Sequence, residues 1–168
     1  MLCFSQSLYL FCYFYSDVSS TKASLLSCKL KNHSQRTQIF DRIRKKFVVL
    51  TPEEWVRQHF VNFLIEQKNY PESRIAIESS LKYNELRRRP DIVYYDNNLK
   101  AQLIVECKAS DVKITQTTFD QIARYNIVLN VAYLIVTNGL QHFCCKMDYE
   151  KQSFIYLKEV PDFKKLAE

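Results

Sequence analysis

Asp91, Glu106 and Lys108 are the residues whose types and spacing suit chemistry. Asp91 follows Pro90 at the head of the apolar run Asp91-Ile-Val-Tyr-Tyr95, and Glu106 and Lys108 stand two apart at the end of Ala101-Gln-Leu-Ile-Val-Glu-Cys-Lys108. Side chains alternate between the faces of a strand, so Glu106 and Lys108 share a face. Between the runs lies Asp96-Asn97-Asn98, a turn former, so the two strands fold as an antiparallel hairpin that brings Asp91 roughly opposite Glu106. A Glu and a Lys in so apolar a strand are costly unless compensated. A shared site accounts for them better than chance does, with an ordinary cross-strand salt bridge as the plainer alternative. Two hard carboxylates suit Mg²⁺ or Mn²⁺, which keep bound waters and take phosphate oxygens. Such an ion acidifies its water and neutralises charge growing at phosphorus. With Lys108 orienting or helping to deprotonate the attacking water, the chemistry implied is metal-assisted phosphodiester hydrolysis.

The surrounding elements must hold these residues. Ile39 to Leu50 reads as a short strand or hairpin leading to Thr51-Pro52-Glu53-Glu54, a strong helix start: a capping threonine, proline at the first helical position and acids in the first turn. The helix is expected from Pro52 to about Lys68. Helical spacing places Val56, Phe60, Phe63 and Leu64 on one stripe, with Glu53 and Arg57 inside it. Glu53 and Arg57 then form either an exposed i,i+4 ion pair or part of a site. Arg74 to Ser79 is a third β-rich run beside the hairpin. Gln116 to Leu129 has helical periodicity, Val131 to Val136 reads as a buried strand ending at Thr137-Asn138-Gly139, and strands near Gln141–Met147 and Ser153–Leu157 close the domain. The order of helix, three strands, helix and strand, with appended strands, predicts an α/β fold: a central mixed sheet flanked by helices.

Composition narrows the class. The chain has 168 residues, 47% apolar and 14% aromatic, which is globular composition for one domain. Its 24 Lys and Arg against 18 Asp and Glu, net +6, favour an anionic partner. Gly139 is the only glycine; a phosphate-cradling loop needs several, so no ATP site is expected in this chain. The six cysteines show no metal-ligand or disulfide spacing, and reduced thiols in a cytoplasm are the simplest reading. Cys144 and Cys145 are expected to point to opposite faces of a strand. Leu8 to Tyr15 resembles a signal-peptide apolar region without basic residues before it, and is too short to span a bilayer, so no membrane association is expected. Residues 1–36 are assigned to a tail outside the fold and 37–168 to the domain. Arg87-Arg88-Arg89, and Arg42, Arg44, Lys45 and Lys46, are either phosphate contacts or solvated charge runs.

Pro90-Asp91, fourteen residues, then Glu106-Cys107-Lys108 resembles the PD-(D/E)xK nuclease signature, and Gln121-Ile-Ala-Arg-Tyr125 resembles the Q-x3-Y motif of its RecB-like and type I restriction branch. Leu50-Thr-Pro-Glu-Glu-Trp-Val-Arg-Gln58, Arg89-Pro-Asp91, Phe119 to Asn126 and Val136-Thr-Asn-Gly139 are similar, more closely, to small stand-alone members of the type I restriction enzyme R protein (HsdR) N-terminal domain family. The resemblance covers roughly Gln38 to Phe163. It implies a restriction-endonuclease-like αβββαβ core and a Mg²⁺- or Mn²⁺-dependent endodeoxyribonuclease without the ATP-driven motor. It implies Asp91 and Glu106 as metal ligands, the Cys107 carbonyl as a third, and Lys108 as the catalytic lysine. Glu53 is the first choice for a helix carboxylate near the metal, with Glu54 its rival. Gln121 and Tyr125 would face the site and the DNA backbone, with Arg87, Arg88 and Arg89 as further DNA contacts. DNA is the expected partner; a separate motor or specificity subunit and a homodimer are the further ones left open. The competing reading is a non-cleaving nucleic-acid-binding module or accessory subunit that keeps the fold.

Overall fold

The computed structural model describes residues 28–33, 36–78, 81–83 and 86–166. In chain order the elements are β1 (Leu30–His33), β2 (Arg36–Asp41), β3 (Lys46–Val49), α1 (Pro52–Glu66), a 3-10 turn (Glu72–Arg74), β4 (Ile75–Ile77), β5 (Leu81–Tyr83), β6 (Leu86–Arg88), β7 (Ile92–Tyr95) and β8 (Ala101–Cys107). There follow α2 (Gln116–Leu129), β9 (Tyr133–Thr137), β10 (His142–Asp148), β11 (Ser153–Leu157) and α3 (Phe163–Leu166). Six strands form the central sheet in the order β11-β10-β9-β8-β7-β4. β8 and β9 pair parallel and the other neighbours antiparallel. α2 is the crossover that a parallel pair requires. This is the mixed α/β sheet that the element order predicts, and it is compatible with a restriction-endonuclease-like core.

Local chemistry sets the helix ends. The Thr51 hydroxyl accepts from the Glu54 amide at 3.0 Å with Pro52 behind it, capping α1. The helix closes at Glu66, two residues before the expected end: the Gln67 amide makes the last i→i−4 bond, to the Phe63 carbonyl, and the Lys68 amide turns back onto the same carbonyl. α2 runs over the expected residues, capped by Thr115 on the Thr118 amide and ended by Asn130 in the left-handed region at φ 54°.

Strand alternation divides the core. Ile92, Tyr94, Leu103, Val105 and Cys107 pack with Val56, Phe60 and Leu64 on the α1 side. Val93 and Ile104 pack with Phe119 and Ala123 on the α2 side. Cys144 and Cys145 fall on opposite sides, as alternation requires, and both are buried free thiols whose ionisation burial pushes up to about 12.

Two features differ from the sequence reading. β1 lies in the stretch assigned to the tail, yet it pairs with β2 in a separate β1-β2-β3 sheet. Its polar Leu-Lys-Asn-His sequence carries no strand signal, and only the pairing partner makes it one. The small β5-β6 hairpin is likewise unannounced by the residues that form it. Of residues 1–36, residues 1–27, 34 and 35 lie outside the described residues. Among the described residues no helix is long and apolar enough to cross a membrane.

Candidate active site

The register of β7 on β8 decides what meets at the end of the hairpin. Ile92 stands opposite Val105, so the next step of the ladder sets Asp91 across from Glu106, and the one after sets Pro90 across from Cys107. Proline has no N–H, so Pro90 offers the Cys107 carbonyl no ladder donor. The Cys107 amide, aimed at the same missing strand, is taken instead by Asp91: Oδ2 accepts it at 2.7 Å. The Lys108 amide continues the ladder on the other side, donating to the Thr137 carbonyl at 2.8 Å. Glu106 and Lys108 are both half-buried, and alternation puts them on the Ile104 side of the sheet, where α2 packs.

On the α1 side, Asp91 enters an ion network. Arg57 donates from Nη2 to Asp91 Oδ1 at 2.7 Å, and its Nη1 bonds Glu54 and stands 3.5 Å from Glu78 Oε1. Arg44 bonds Asp41, and reaches Glu54 Oε1 at 3.1 Å and Glu78 Oε2 at 3.0 Å. Gln58 donates to Glu54 at 2.7 Å. Two guanidiniums are thus shared among four carboxylates, with Asp41 fully buried and Glu54 and Arg57 each 7% exposed. Burial opposes the charge on Arg57, but the Asp91 and Glu54 carboxylates outweigh it and hold the guanidinium above its ordinary range. Among the described residues the Arg57 Nε has no hydrogen-bond partner. Full burial pushes the Cys107 thiol well up, and the group of this residue that reaches Asp91 is its backbone amide.

Glu53 does not take the place expected of it. It is exposed, and the helix carboxylate turned toward Asp91 is Glu54. The i,i+4 pair with Arg57 gives way to an i,i+3 pair for the same reason: of two adjacent helix positions about 100° apart, only one can face the sheet. The spacing that puts Arg57 on the apolar stripe could have pointed to Glu54 through its i,i+3 relation. Sequence reasoning gives Glu78 no place in the site. Its amide bonds the Asp91 carbonyl at 3.0 Å, so the signal for it is an acid just beyond a strand that pairs with β7.

The basic run at 42–46 is largely consumed in holding the fold. Arg42 pairs with Glu66 and Glu72, and Lys45 with Glu72, whose carboxyl the Lys45 hydrogen bond helps to hold below its ordinary range. Arg89 is exposed and has interactions of its own. Gln121 and Tyr125 lie one turn apart on α2, and Arg87 and Arg88 on β6; all four side chains are outside the described residues. A cleft of about 390 Å³ between the end of α1 and Lys158–Val160 contains none of the site residues.

A mixed sheet whose central hairpin ends in an Asp, an opposed Glu and a Lys two further on places the chain in the PD-(D/E)xK class. Within it, the pattern of the type I restriction enzyme R protein N terminus (HSDR_N) matches residues 52–161, and the chain belongs to that family. No curated protein matches it.

Proposed function

We propose that this protein is a divalent-metal-dependent endodeoxyribonuclease whose reacting centre is Asp91, Glu106 and Lys108. The observation that carries the reading is the β7–β8 register, which pairs Ile92 with Val105 and so brings the backbone positions of Asp91 and Glu106 to the same end of the hairpin, with Lys108 two residues on. The donor chemistry fits a hard divalent ion: carboxylate oxygens from Asp91 and Glu106, and the Cys107 carbonyl opposite a proline that has no N–H to give it. Four carboxylates around two guanidiniums leave this end of the sheet negative beside the ion's place. One adjustment is required. Arg57 and the Cys107 amide each occupy a lone pair of Asp91, and among the described residues no three acidic, His or Cys side chains stand ready to close around an ion.

When bound, the ion supplies a water of lowered pKa and neutralises charge on the phosphate. Asp91, fixed by the Cys107 amide and Arg57, and Glu106, fixed in β8, hold its position. Lys108 orients the attacking water and contacts the scissile phosphate from the same face as Glu106. Arg87, Arg88 and Arg89, with Gln121 and Tyr125, are assigned to the DNA backbone. DNA is the partner that membership of the family implies, and a motor or specificity subunit would act with this chain rather than within it.

Nicking of supercoiled plasmid with Mg²⁺ or Mn²⁺ tests the reading, comparing the wild type, Lys108→Ala and an EDTA control. Metal-dependent nicking that Lys108→Ala loses is the expected result. The engagement of both Asp91 oxygens favours a second reading, a non-cleaving DNA-binding module, and a folded protein that binds plasmid without nicking it at any metal concentration would select that reading instead.

A further inference from the structure

The β1-β2-β3 sheet lies outside the stretch that matches the family and has two unlike faces. One is turned inward and carries Ile39 and Asp41, both fully buried. Register and alternation put Lys29, Lys31, Arg36 and Gln38 on the other, together with Phe40, Phe47 and Val49. Phe40 and Phe47 meet edge to face, centroids 5.3 Å apart at 64°, and Phe47 and Val49 are 38% and 42% exposed. The Lys29 ammonium stands 6.0 Å from the Phe40 ring and the Lys31 ammonium 5.7 Å from Phe47. Lys29, Lys31 and Arg36 are exposed, and no acid shares this face among the described side chains; the acid of β2, Asp41, points inward onto Arg44. An exposed phenylalanine packed on a half-buried one, flanked by three cations and with no acid among the described side chains of the face, is an unusual surface to leave bare.

We propose that this face docks single-stranded nucleic acid, its bases stacked on Phe40 and Phe47 and its phosphates on Lys29, Lys31 and Arg36. Charge complementarity requires a polyanion, and the paired rings select one whose charged groups alternate with flat apolar ones. A sheet face with exposed aromatics is a platform for splayed bases, each worth about 1–3 kcal/mol in stacking. The face also has a direction. Its β2-β3 turn carries Arg44, which touches Glu54 and Glu78 of the Asp91 network, so a strand lying on the sheet is led to that site. Only this last step rests on the nuclease reading.

The test is fluorescence anisotropy on the full chain in EDTA, with labelled oligothymidylate of about 15 nucleotides and a duplex of equal length. Phe47→Ala is expected to weaken oligothymidylate binding about fivefold or more while changing duplex binding by less than about twofold. Lys29→Glu with Lys31→Glu is expected to weaken it at least about tenfold and to flatten its salt dependence by roughly 1.4 in log–log slope. Thermal melting checks that each variant is folded, and the double lysine variant decides the matter should Phe47→Ala melt early. Wild-type oligothymidylate binding in both variants would overturn the proposal. So would binding to phosphatidylserine vesicles in place of the oligonucleotide, lost in the same variants, which would assign the face to a membrane. Plasmid nicking without oligothymidylate binding sinks this inference alone; oligothymidylate binding without nicking sinks the nuclease reading alone.

Discussion

The two sides of the central sheet treat charge differently where they meet at Asp91. On the α1 side the acids are tied down: Glu54, Glu78, Asp41 and Asp91 share Arg57 and Arg44 in a largely buried network. On the α2 side Glu106 and Lys108 are half-buried on a strand that otherwise faces apolar partners. The lesson is a division of labour. The α1 side fixes where the Asp91 carboxylate stands, and the α2 side presents the groups that would meet a substrate. Substitutions on the first side should therefore be read in stability, and those on the second in activity.

The largest expected effect lies on the α2 side. Lys108→Ala should lower plasmid nicking by about 10²–10³-fold with little change in melting temperature, the scale at which a polar group aimed at developing charge is lost. A variant that nicked normally, or that failed to fold, would break the division. On the α1 side the order reverses: Arg57→Ala leaves half-buried Asp91 without its cation and buried Glu54 with Arg44 alone, and should cost about 3–5 kcal/mol in urea unfolding. Loss of less than about 1 kcal/mol would mean that the network is a surface feature.

A third test uses pH. Burial pulls His59 down to about 4, so it folds neutral, its ring 4.1 Å from that of Trp55. The unfolded chain binds its proton first. Stability from this source is complete above about pH 6.5 and falls as pH drops toward 4, by at most about 3 kcal/mol. His59→Phe should remove its share of that slope, measured as melting temperature against pH; an unchanged slope would contradict neutral burial. The smallest contrast is between neighbours. Glu54→Gln should cost about 1–3 kcal/mol because it weakens bonds from two arginines, whereas Glu53→Gln should stay within about 0.5 kcal/mol.

Much of this arrangement is legible in the sequence because it rests on local rules. Thr51-Pro52 and Thr115 announce their helices, and Asp96-Asn97-Asn98 fixes the hairpin, although the ladder shifts register at Tyr94 and Tyr95. Strand alternation by itself sets Glu106 with Lys108 and separates Cys144 from Cys145. What is not legible depends on contacts distant in sequence. Choosing Glu54 over Glu53 requires knowing how α1 is rotated on the sheet, and Arg44 and Glu78 come to the Asp91 network from separate segments. β1 is a strand by virtue of β2 rather than of its own residues.

The claim that Asp91 and Glu106 form a metal-binding pair is tested most directly by counting ions. Manganese added to the chain and followed by electron paramagnetic resonance should show one bound Mn²⁺ per chain in the wild type and none in Asp91→Asn with Glu106→Gln. If the double variant held the ion as tightly as the wild type, the carboxylates across the β7–β8 ladder would not be the metal site and the account of the reacting centre would fall.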